Sequence, residues 1–508
     1  MTLAALTAIA GGRPVALGPT AARRMAESRR TVEAALTQDE PVYGVSTGFG
    51  HLANTRIRPE EVAALQLNLV RSHAAGVGAP LEPEAVRALL ALRAHALALG
   101  HSGIRPELVE TLAAMLARDV LPVVPRQGSV GASGDLAPLA HVALAMIGEG
   151  DATFAGERLG ASEAFARAGL VPADLSAKEG LALTNGSQLT TAVGALATAR
   201  GDRVLAALDL ACALSFQALL GIDSAYDARL VALRPHPGAL RTARRLRALL
   251  AGSGLVTRAG ELRVQDAYSL RAAPQVHGSA RDAMAFVAGV LAVEMNAATD
   301  NPLVVAGGDE GSAILSGANF HGAPVALALD VVPIAMGQAA GISERRTERL
   351  VNPALSGGLP PFLTPNPGLH SGLMVAQYTA AALTSAIKVL AHPASVDTIP
   401  TSAGQEDDVS MGPIAALKAA DAVGHLATIV AIEILSACQA LEFRGAARLS
   451  PACAAAHRVV RERVPVLAGD RPLAPDIEAV RVLVDTGALV RAAEANLDEP
   501  LGDVDERA

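Results

Sequence analysis

The sequence predicts a mainly α-helical protein, an elongated bundle of long helices with a loop-rich N-terminal region. It has 508 residues, of which 51% are hydrophobic and only 2% are aromatic, and much of the apolar content is alanine and leucine, which favour helices. From about residue 200 onward, apolar residues recur with helical spacing almost throughout. Before that point, short helical segments alternate with Gly- and Pro-rich loops. We therefore expect two regions: residues 1–200, rich in loops, and residues 201–508, which form the central and C-terminal bundle.

Charge and cysteine usage exclude several classes of protein. The formal net charge is −8 and the basic residues are scattered, so we expect no nucleic-acid partner. The three cysteines, Cys212, Cys438 and Cys453, are odd in number and far apart. This pattern favours a reducing compartment and small buried side chains, and neither a disulfide framework nor a zinc site.

Two apolar stretches, Val204–Gly221 and Val423–Phe443, approach the length of a membrane span. Each contains an acid in its interior, Asp209 in the first and Glu433 in the second. Because a charge within a bilayer is costly, we interpret both as buried helices of a soluble bundle and expect no membrane partner. The start of the chain lacks a basic segment followed by a long apolar core, so we expect a cytoplasmic protein.

Two N-terminal segments have a clear local prediction. The segment Tyr43–Gly50 (YGVSTGFG) holds three glycines in eight residues, which predicts a loop that approaches a ligand closely. The segment Glu61–Ser72 is predicted to be a helix. Its apolar residues fall on one face: Val62, Leu65, Leu69 and Val70.

The segment Gly128–His141 (GSVGASGDLAPLAH) allows two interpretations. The plain one is a flexible loop followed by a helix from near Leu136. The chemical one is that a tight bend lets the amide nitrogen of Gly134 attack the carbonyl of Ala132. The ring then loses one water and the Ser133 side chain a second, which gives an electrophilic methylidene-imidazolone. Ser supplies the leaving hydroxyl, while Gly and Ala keep the reacting atoms uncrowded.

GSVGASGDLAPLAH resembles the signature of the aromatic amino-acid ammonia-lyases and aminomutases, which carry this prosthetic group. The resemblance runs from Tyr43 to about Arg444. It implies a 4-methylidene-imidazol-5-one (MIO) cofactor formed from Ala132, Ser133 and Gly134 in the N-terminal region. Further blocks match in order: NGSQ at Asn185–Gln188, QDAYSLRAAPQ at Gln265–Gln275, DNPL at Asp300–Leu303, SGANFHG at Ser316–Gly322, SERR at Ser343–Arg346, LPPFL at Leu359–Leu363 and QEDDVSMG at Gln405–Gly412.

The resemblance assigns catalytic roles to two tyrosines and an arginine. It implies that Tyr43 is the base that removes the β-proton as a phenolate, which requires its ordinary pKa of about 10 to be lowered. A half-buried aromatic that anchors a loop is the alternative. Tyr268 precedes Arg271 by three residues, so both can face one side of a short helix. Arg271 can hold the substrate carboxylate bidentately.

Three further residues match positions around the cofactor and the substrate. Asn185 matches the residue that touches the cofactor ring and the substrate amine, although Asn-Gly is also a common turn. Gln265 and Phe320 match residues that surround the cofactor ring. For Phe320, ordinary core packing is the alternative.

The substrate prediction depends on the residues that meet the side-chain ring. An imidazole is polar at both nitrogens and requires polar partners. The pair Ser72 and His73 resembles the members of the family that act on histidine, and Glu406 lies where those members place a carboxylate. Asp408 departs from their pattern, which has histidine there. It either points into solvent, pairs with a cation or indicates a modified substrate.

The sequence therefore predicts an enzyme that removes ammonia from L-histidine without oxidation to give trans-urocanate. The resemblance implies a homotetramer whose active sites are shared between subunits. No metal, nucleotide or pyridoxal phosphate is implied, and none of the lysines, Lys178, Lys388 and Lys418, lies in a Schiff-base motif. Three alternatives stay open: a lyase for tyrosine, phenylalanine or a histidine derivative, a 2,3-aminomutase, and an inactive scaffold.

Overall fold

The structure, a computed structural model, describes residues 1–38, 40–306 and 312–497. The chain divides into two compact units, each built from segments that are distant in sequence. The first unit comprises Met1–Ala199, Ala288–Asp330 and Pro393–Leu417. The second comprises Arg200–Val287, Val331–His392 and the described residues from Lys418 onward. The division of the chain into residues 1–200 and 201–508 stays a prediction.

Helices dominate the described residues, which confirms the mainly α fold class, and the longest of them lie after residue 187. Their bounds are α1 Leu3–Ala10, α2 Pro19–Ala35, α3 Val62–His73, α4 Pro83–Ala98, α5 Pro106–Arg118, α6 Leu136–Met146, α7 Ala161–Ala168, α8 Glu179–Thr184, α9 Gln188–Ala218, α10 Ala228–Ala232, α11 Pro237–Leu250, α12 Tyr268–Arg271, α13 Ala273–Glu294, α14 Ala323–Val351, α15 Met374–Leu390, α16 Gly412–Arg444, α17 Pro451–Arg461, α18 Ala474–Asp485 and α19 Ala488–Glu494.

Local sequence explains where several helices begin. Five of them, α2, α4, α5, α11 and α17, start at a proline, whose missing N–H is not needed in the first helical turn. Helix α3 begins one residue after the predicted Glu61 and buries the predicted face: Val62, Leu69 and Val70 are buried and Leu65 is partly buried. Helix α6 begins at Leu136, as predicted from the end of the Gly-rich loop.

The strands among the described residues are short and lie in the first unit, where they form three small antiparallel sheets. The strands are β1 Val77–Pro80, β2 Leu121–Pro122, β3 Pro125–Gln127, β4 Asp151–Phe154, β5 Glu157–Gly160, β6 Leu303–Ala306 and β7 Ser312–Leu315. Strand β1 pairs with β3, β2 with β4 and β4 with β5, and β6 pairs with β7 in the register Leu303 to Leu315.

The acids inside the long apolar helices are paired within the second unit. Asp209 of α9 accepts bonds from His277 Nδ1 at 2.8 Å and Arg281 Nη2 at 2.6 Å. Glu433 of α16 accepts from Arg346 Nη2 at 2.9 Å and from Ser215 and Ser343 hydroxyls at 2.8 and 2.6 Å. Helices α14 and α16 are long and apolar enough to cross a membrane. Most of the 18-residue segment with the highest mean hydropathy is nevertheless buried inside the protein, 67% of it in α14 and 83% in α16. The interpretation as buried helices therefore agrees with the structure.

The cysteines behave as small apolar side chains. Cys212, Cys438 and Cys453 are free and fully buried. Burial raises the pKa of Cys212 to about 11 and that of Cys438 to about 12, so both thiols stay protonated at neutral pH.

Candidate active site

A cavity of about 730 Å³ in the first unit brings together most of the predicted site residues. All three parts of the first unit contribute to its wall, through loops, helices and 3₁₀ helices. The predicted site residues among its lining are Tyr43, His73, Ser133, Asn185, Phe320 and Glu406. The cavity is also lined by residues that the sequence did not predict to belong to the site, among them Leu65, Asn68, Leu181, Asn301 and Gln405.

The loop that carries Ala132, Ser133 and Gly134 is held in place by hydrogen bonds on both sides of these three residues. Before the triad, Met411 N donates to Val130 O at 2.9 Å and Ser410 Oγ donates to Gly131 O at 3.3 Å. After it, Asp135 N donates to Gly186 O at 2.7 Å. The triad is thus held as a bend between fixed ends, while Ala132 and Ser133 stay partly exposed.

The residues fit an MIO group formed from this triad. Gly134 has a φ of +73°, and a Cβ there would collide with the Gly186 backbone, so only glycine is accommodated. The Ser133 hydroxyl, which would have to leave, lines the cavity. Asn185 Oδ1 is buried without a hydrogen-bond partner among the described residues, which marks an acceptor ready for a ligand. Within the described ranges, no group of three or more His, Cys, Asp or Glu could hold a metal ion.

Asp135, the residue after the triad, was not singled out by the sequence. Its buried carboxylate accepts from Thr190 N at 2.8 Å and from Thr190 Oγ1 at 2.9 Å. Burial raises the pKa of this carboxyl to about 7 despite those hydrogen bonds. The sequence GASGD contains this aspartate, but only the fold shows that its carboxylate is buried next to Ala132–Gly134.

Tyr43 lies on the predicted Gly-rich loop, and its hydroxyl accepts a bond from Gly50 N at 3.3 Å. The sequence-based expectation that its pKa is lowered is not met within this chain. Burial raises the pKa of the phenol, and the charges of Glu406 and Asp300 raise it further, while the Gly50 N–H lowers it. Any net lowering has to come from groups that this chain does not supply to the loop.

His73 ends helix α3, as predicted, and lines the cavity. Ser72 Oγ donates to Leu69 O at 3.1 Å and lies 3.0 Å from His73 Nδ1. Because the hydroxyl has one hydrogen, both bonds are satisfied when Nδ1–H donates to Oγ, which leaves Nε2 as an acceptor. Burial lowers the pKa of His73, which favours this neutral imidazole.

The Glu406 carboxylate is held at both oxygens. Ser133 Oγ donates to Oε1 at 3.1 Å and Thr401 Oγ1 donates to Oε2 at 2.9 Å. Thr401 and Glu406 also form an antiparallel backbone bridge, a support that the sequence did not reveal. The side chain of Asp408 is exposed, in line with the solvent-facing alternative.

Three predicted site residues belong to the second unit and are not among the residues that line the cavity. Gln265 is exposed and Tyr268 is 71% exposed. Tyr268 and Arg271 share the short helix α12, and the Arg271 guanidinium lies 4.5 Å from the centroid of the Tyr268 ring, so the two side chains do face one side. The buried Tyr226 hydroxyl donates to Leu270 O at 2.7 Å and so fixes this helix.

Known proteins resemble this chain over nearly its whole length. A family model described as aromatic amino acid lyase matches residues 1–462. The histidine ammonia-lyase of Symbiobacterium thermophilum is 54% identical over 496 residues, which cover 97% of each chain. The crystal structure of histidine ammonia-lyase from Trypanosoma cruzi is 41% identical, with a TM-score of 0.91, over 98% of this chain and 94% of that one. The tyrosine aminomutase of Streptomyces globisporus is 38% identical, with a TM-score of 0.94, over 99% and 98%.

The fold and these likenesses define the class of protein: the chain is a carbon–nitrogen lyase. More particularly, it belongs to the aromatic amino acid lyase family, which confirms the resemblance seen in the sequence.

Proposed function

We propose that this chain eliminates ammonia from L-histidine, without oxidation, to give trans-urocanate. The observation that carries the proposal is that two polar side chains, His73 and Glu406, line the same cavity as Ser133. An imidazole ring presents an N–H donor, and both side chains offer acceptors. The relatives that are named histidine ammonia-lyases, at about half identity over nearly the full length, support the same substrate.

The cofactor that fits the site is MIO, held in the bend between Gly131 and Asp135 with Asn185 beside it. When formed, this group supplies an electrophilic carbon that helps the amino group to leave. The chain's own residues bind and orient the substrate around it. Asn185 Oδ1, buried and without a partner among the described residues, accepts a bond from the substrate amine.

Tyr43 acts as the base that takes the β-proton at its phenolate oxygen. The Gly50 N–H, 3.3 Å from that oxygen, stabilises the phenolate, and the glycine-rich loop places it on the cavity wall. The neighbouring carboxylates disfavour this state, so Arg271 of another subunit is a suitable source of the missing positive charge.

The pH dependence follows from the pKa of Tyr43, which its surroundings in this chain raise and the proposed Arg271 of another subunit lowers. Below that pKa the phenol is neutral and cannot accept a proton, so kcat/KM for histidine is expected to rise with pH on the alkaline side. Tyr43→Phe should lower kcat/KM by about 100-fold or more and abolish this rise of kcat/KM with pH. A pH–rate profile with an unchanged alkaline limb in the Phe variant would remove Tyr43 from the role of base.

We further propose a cytoplasmic homotetramer with active sites shared between subunits. Large apolar side chains are exposed along the long helices of the second unit, a pattern expected where helices pack against other copies. Examples are Phe286 (51% exposed), Val375 (58%), Tyr378 (58%) and Val389 (69%). The exposed Tyr268 and Gln265, which match site residues of the family, are then available to complete the cavity of a neighbouring copy.

Arg271→Lys tests the carboxylate clamp. Lysine keeps the charge but cannot reproduce a bidentate pair, so kcat/KM is expected to fall by a factor equivalent to about 1.5–3 kcal/mol. The exposed Arg234→Lys serves as a control for the chemical change. Steady-state kinetics on assembled protein that show an unaltered kcat/KM for Arg271→Lys would contradict the clamp.

A panel of amino acids tests the function itself. Histidine is expected to give ammonia and urocanate in equal amounts, followed by the ultraviolet absorbance of urocanate, with tyrosine and phenylalanine far slower. An aminomutase, which the likeness to the tyrosine aminomutase keeps as a second candidate, would instead give a β-amino acid with little free ammonia. Protein that carries the cofactor but forms no urocanate from histidine would overturn the proposed substrate.

A further inference from the structure

A buried ion pair lies in the first unit and is not used by the reaction as proposed above. Lys178 Nζ donates to Asp300 Oδ2 at 2.7 Å, and the two side chains are 0% and 2% exposed. Burying two charges costs solvation that their attraction repays only in part, so such a pair is weak evidence for a role in stability. The contacts of Asp300 show what else the pair does.

Asp300 connects the ion pair to the cavity through the backbone of the next residue, Asn301. Its Oδ1 accepts from Asn301 N at 2.7 Å, and Asn301 O in turn accepts from Asn185 Nδ2 at 3.0 Å. Because Asn301 O is an acceptor, the amide nitrogen of Asn185 must face it. The orientation of the Asn185 amide is therefore fixed, and its Oδ1 is the end left without a partner among the described residues.

The same short segment is fixed from its other side. Asn301 Oδ1 accepts from Gly317 N at 2.7 Å and from Ser316 Oγ at 3.2 Å, and Asn301, Ser316 and Gly317 all line the cavity. A second buried cation, Arg93, donates to Asn185 O at 3.0 Å. The backbone at both ends of the Asn301–Asn185 bond is thus held by buried charged groups.

Charge is the second link between the pair and the cavity. Tyr43 and Asn301, the residue after Asp300, line the same cavity. The carboxylates of Glu406 and Asp300 both disfavour ionisation of the Tyr43 phenol, and the Gly50 N–H favours it. Lys178 is the hydrogen-bonded countercharge of one of those carboxylates. The buried Arg93 also interacts electrostatically with Asp300. Without the ammonium of Lys178, less positive charge balances Asp300, so its negative charge acts more strongly on Tyr43 in a region of low dielectric constant.

We propose that Lys178 and Asp300 are positioning residues of this active site: their ion pair fixes the Asn301 backbone that orients the Asn185 amide, and it balances the charge beside Tyr43. The proposal rests on the proposed function for the roles of Asn185 and Tyr43. It predicts opposite electrostatic effects for the loss of the two partners, which a purely structural role does not.

The test follows the ionisation of Tyr43 in Lys178→Met, Asp300→Asn and the double variant. Tyrosinate absorbance is recorded against pH, and the titration of the same protein with Tyr43→Phe is subtracted. Lys178→Met is expected to raise the pKa of Tyr43 by about half a unit or more, and Asp300→Asn to lower it by a similar amount. The double variant, which removes both charges, is expected to lie between the two single variants.

Kinetics supply the positional readout. Lys178→Met is expected to lower kcat/KM for histidine by about tenfold or more, because a misplaced amide no longer meets the substrate amine, and Lys178→Arg is expected to restore part of the loss. Arg281→Met breaks a buried ion pair of the second unit, since Arg281 Nη2 lies 2.6 Å from Asp209 Oδ2. This control should lower the melting temperature and leave the Tyr43 titration unchanged.

The proposal is overturned if the Tyr43 titration curves of wild type and Asp300→Asn coincide. It is also overturned if Lys178→Met, Asp300→Asn and the double variant all melt at a lower temperature but keep the kcat/KM of wild type. If Lys178→Met alone fails to fold, Asp300→Asn and the double variant still give the decisive comparison. The tyrosinate titration requires no turnover. A protein that shows the expected shifts but does not act on histidine would therefore overturn the proposed function and not the charge coupling.

Discussion

The intact protein is expected to weigh two water molecules less than its sequence. Closure of the Ala132–Gly134 ring releases one water, and loss of the Ser133 hydroxyl releases the other. The fixed ends of the loop and the space that only Gly134 leaves beside Gly186 favour this ring closure. Ser133→Ala has no hydroxyl to lose, so it should retain the mass of at least one of those waters and show no measurable turnover. Mass spectrometry of the intact protein checks both masses directly.

The control is Ser162→Ala, which removes an exposed hydroxyl from helix α7. This variant should lose both waters and keep full activity. Folded wild-type protein of unmodified mass, or a Ser133→Ala variant with the turnover of wild type, would exclude the cofactor and the mechanism built on it.

The exchange of Ser72 to Phe together with His73 to Leu is expected to change the substrate. The pair provides the acceptor at Nε2 and the hydroxyl that fixes it, so their loss leaves an imidazole N–H unpaired in the cavity. Histidine turnover should fall by about 100-fold or more, while activity on phenylalanine or tyrosine rises. Glu406→Gln alone should mainly reduce the reaction with histidine. The ratio of kcat/KM for histidine to that for phenylalanine is the measurement.

The rival explanation is that His73 merely stabilises the C-terminus of helix α3, where basic side chains are favourable. Arg71→Leu tests it, because it removes another basic residue from the same last turn. That variant should lower stability without changing the substrate ratio. A ratio that does not move in Ser72→Phe/His73→Leu protein, shown by mass to carry the cofactor, would leave the histidine assignment without a physical basis.

The sequence was sufficient to predict elements whose signal is local. Helix α3 follows from the spacing of Val62, Leu69 and Val70, and helix α6 follows from the end of the Gly-rich loop. The acids within apolar stretches were correctly interpreted as interior residues of buried helices. Six of the predicted site residues of the first unit line one cavity, and the sequence motifs that contain them resemble those of the family.

What the sequence could not show are pairings between distant segments. Lys178 and Asp300 are 122 residues apart, and no periodicity relates them. The raised pKa of Tyr43 within this chain could not be predicted, because it depends on burial and on Glu406 and Asp300, which only the fold brings near. The partners of Asp209 were likewise hidden, because they come from two other helices: Arg245 from α11, and His277 and Arg281 from α13.

In the mechanism proposed above, the hydrogen bond from Ser133 Oγ to Glu406 Oε1 connects formation of the cofactor with binding of the substrate. As long as the serine keeps its hydroxyl, one oxygen of the carboxylate proposed to bind the imidazole is already engaged. The proposed dehydration would remove that donor and free the oxygen, while Thr401 would keep the other oxygen in place. Completion of the cofactor and preparation of the imidazole-binding carboxylate would then be a single event.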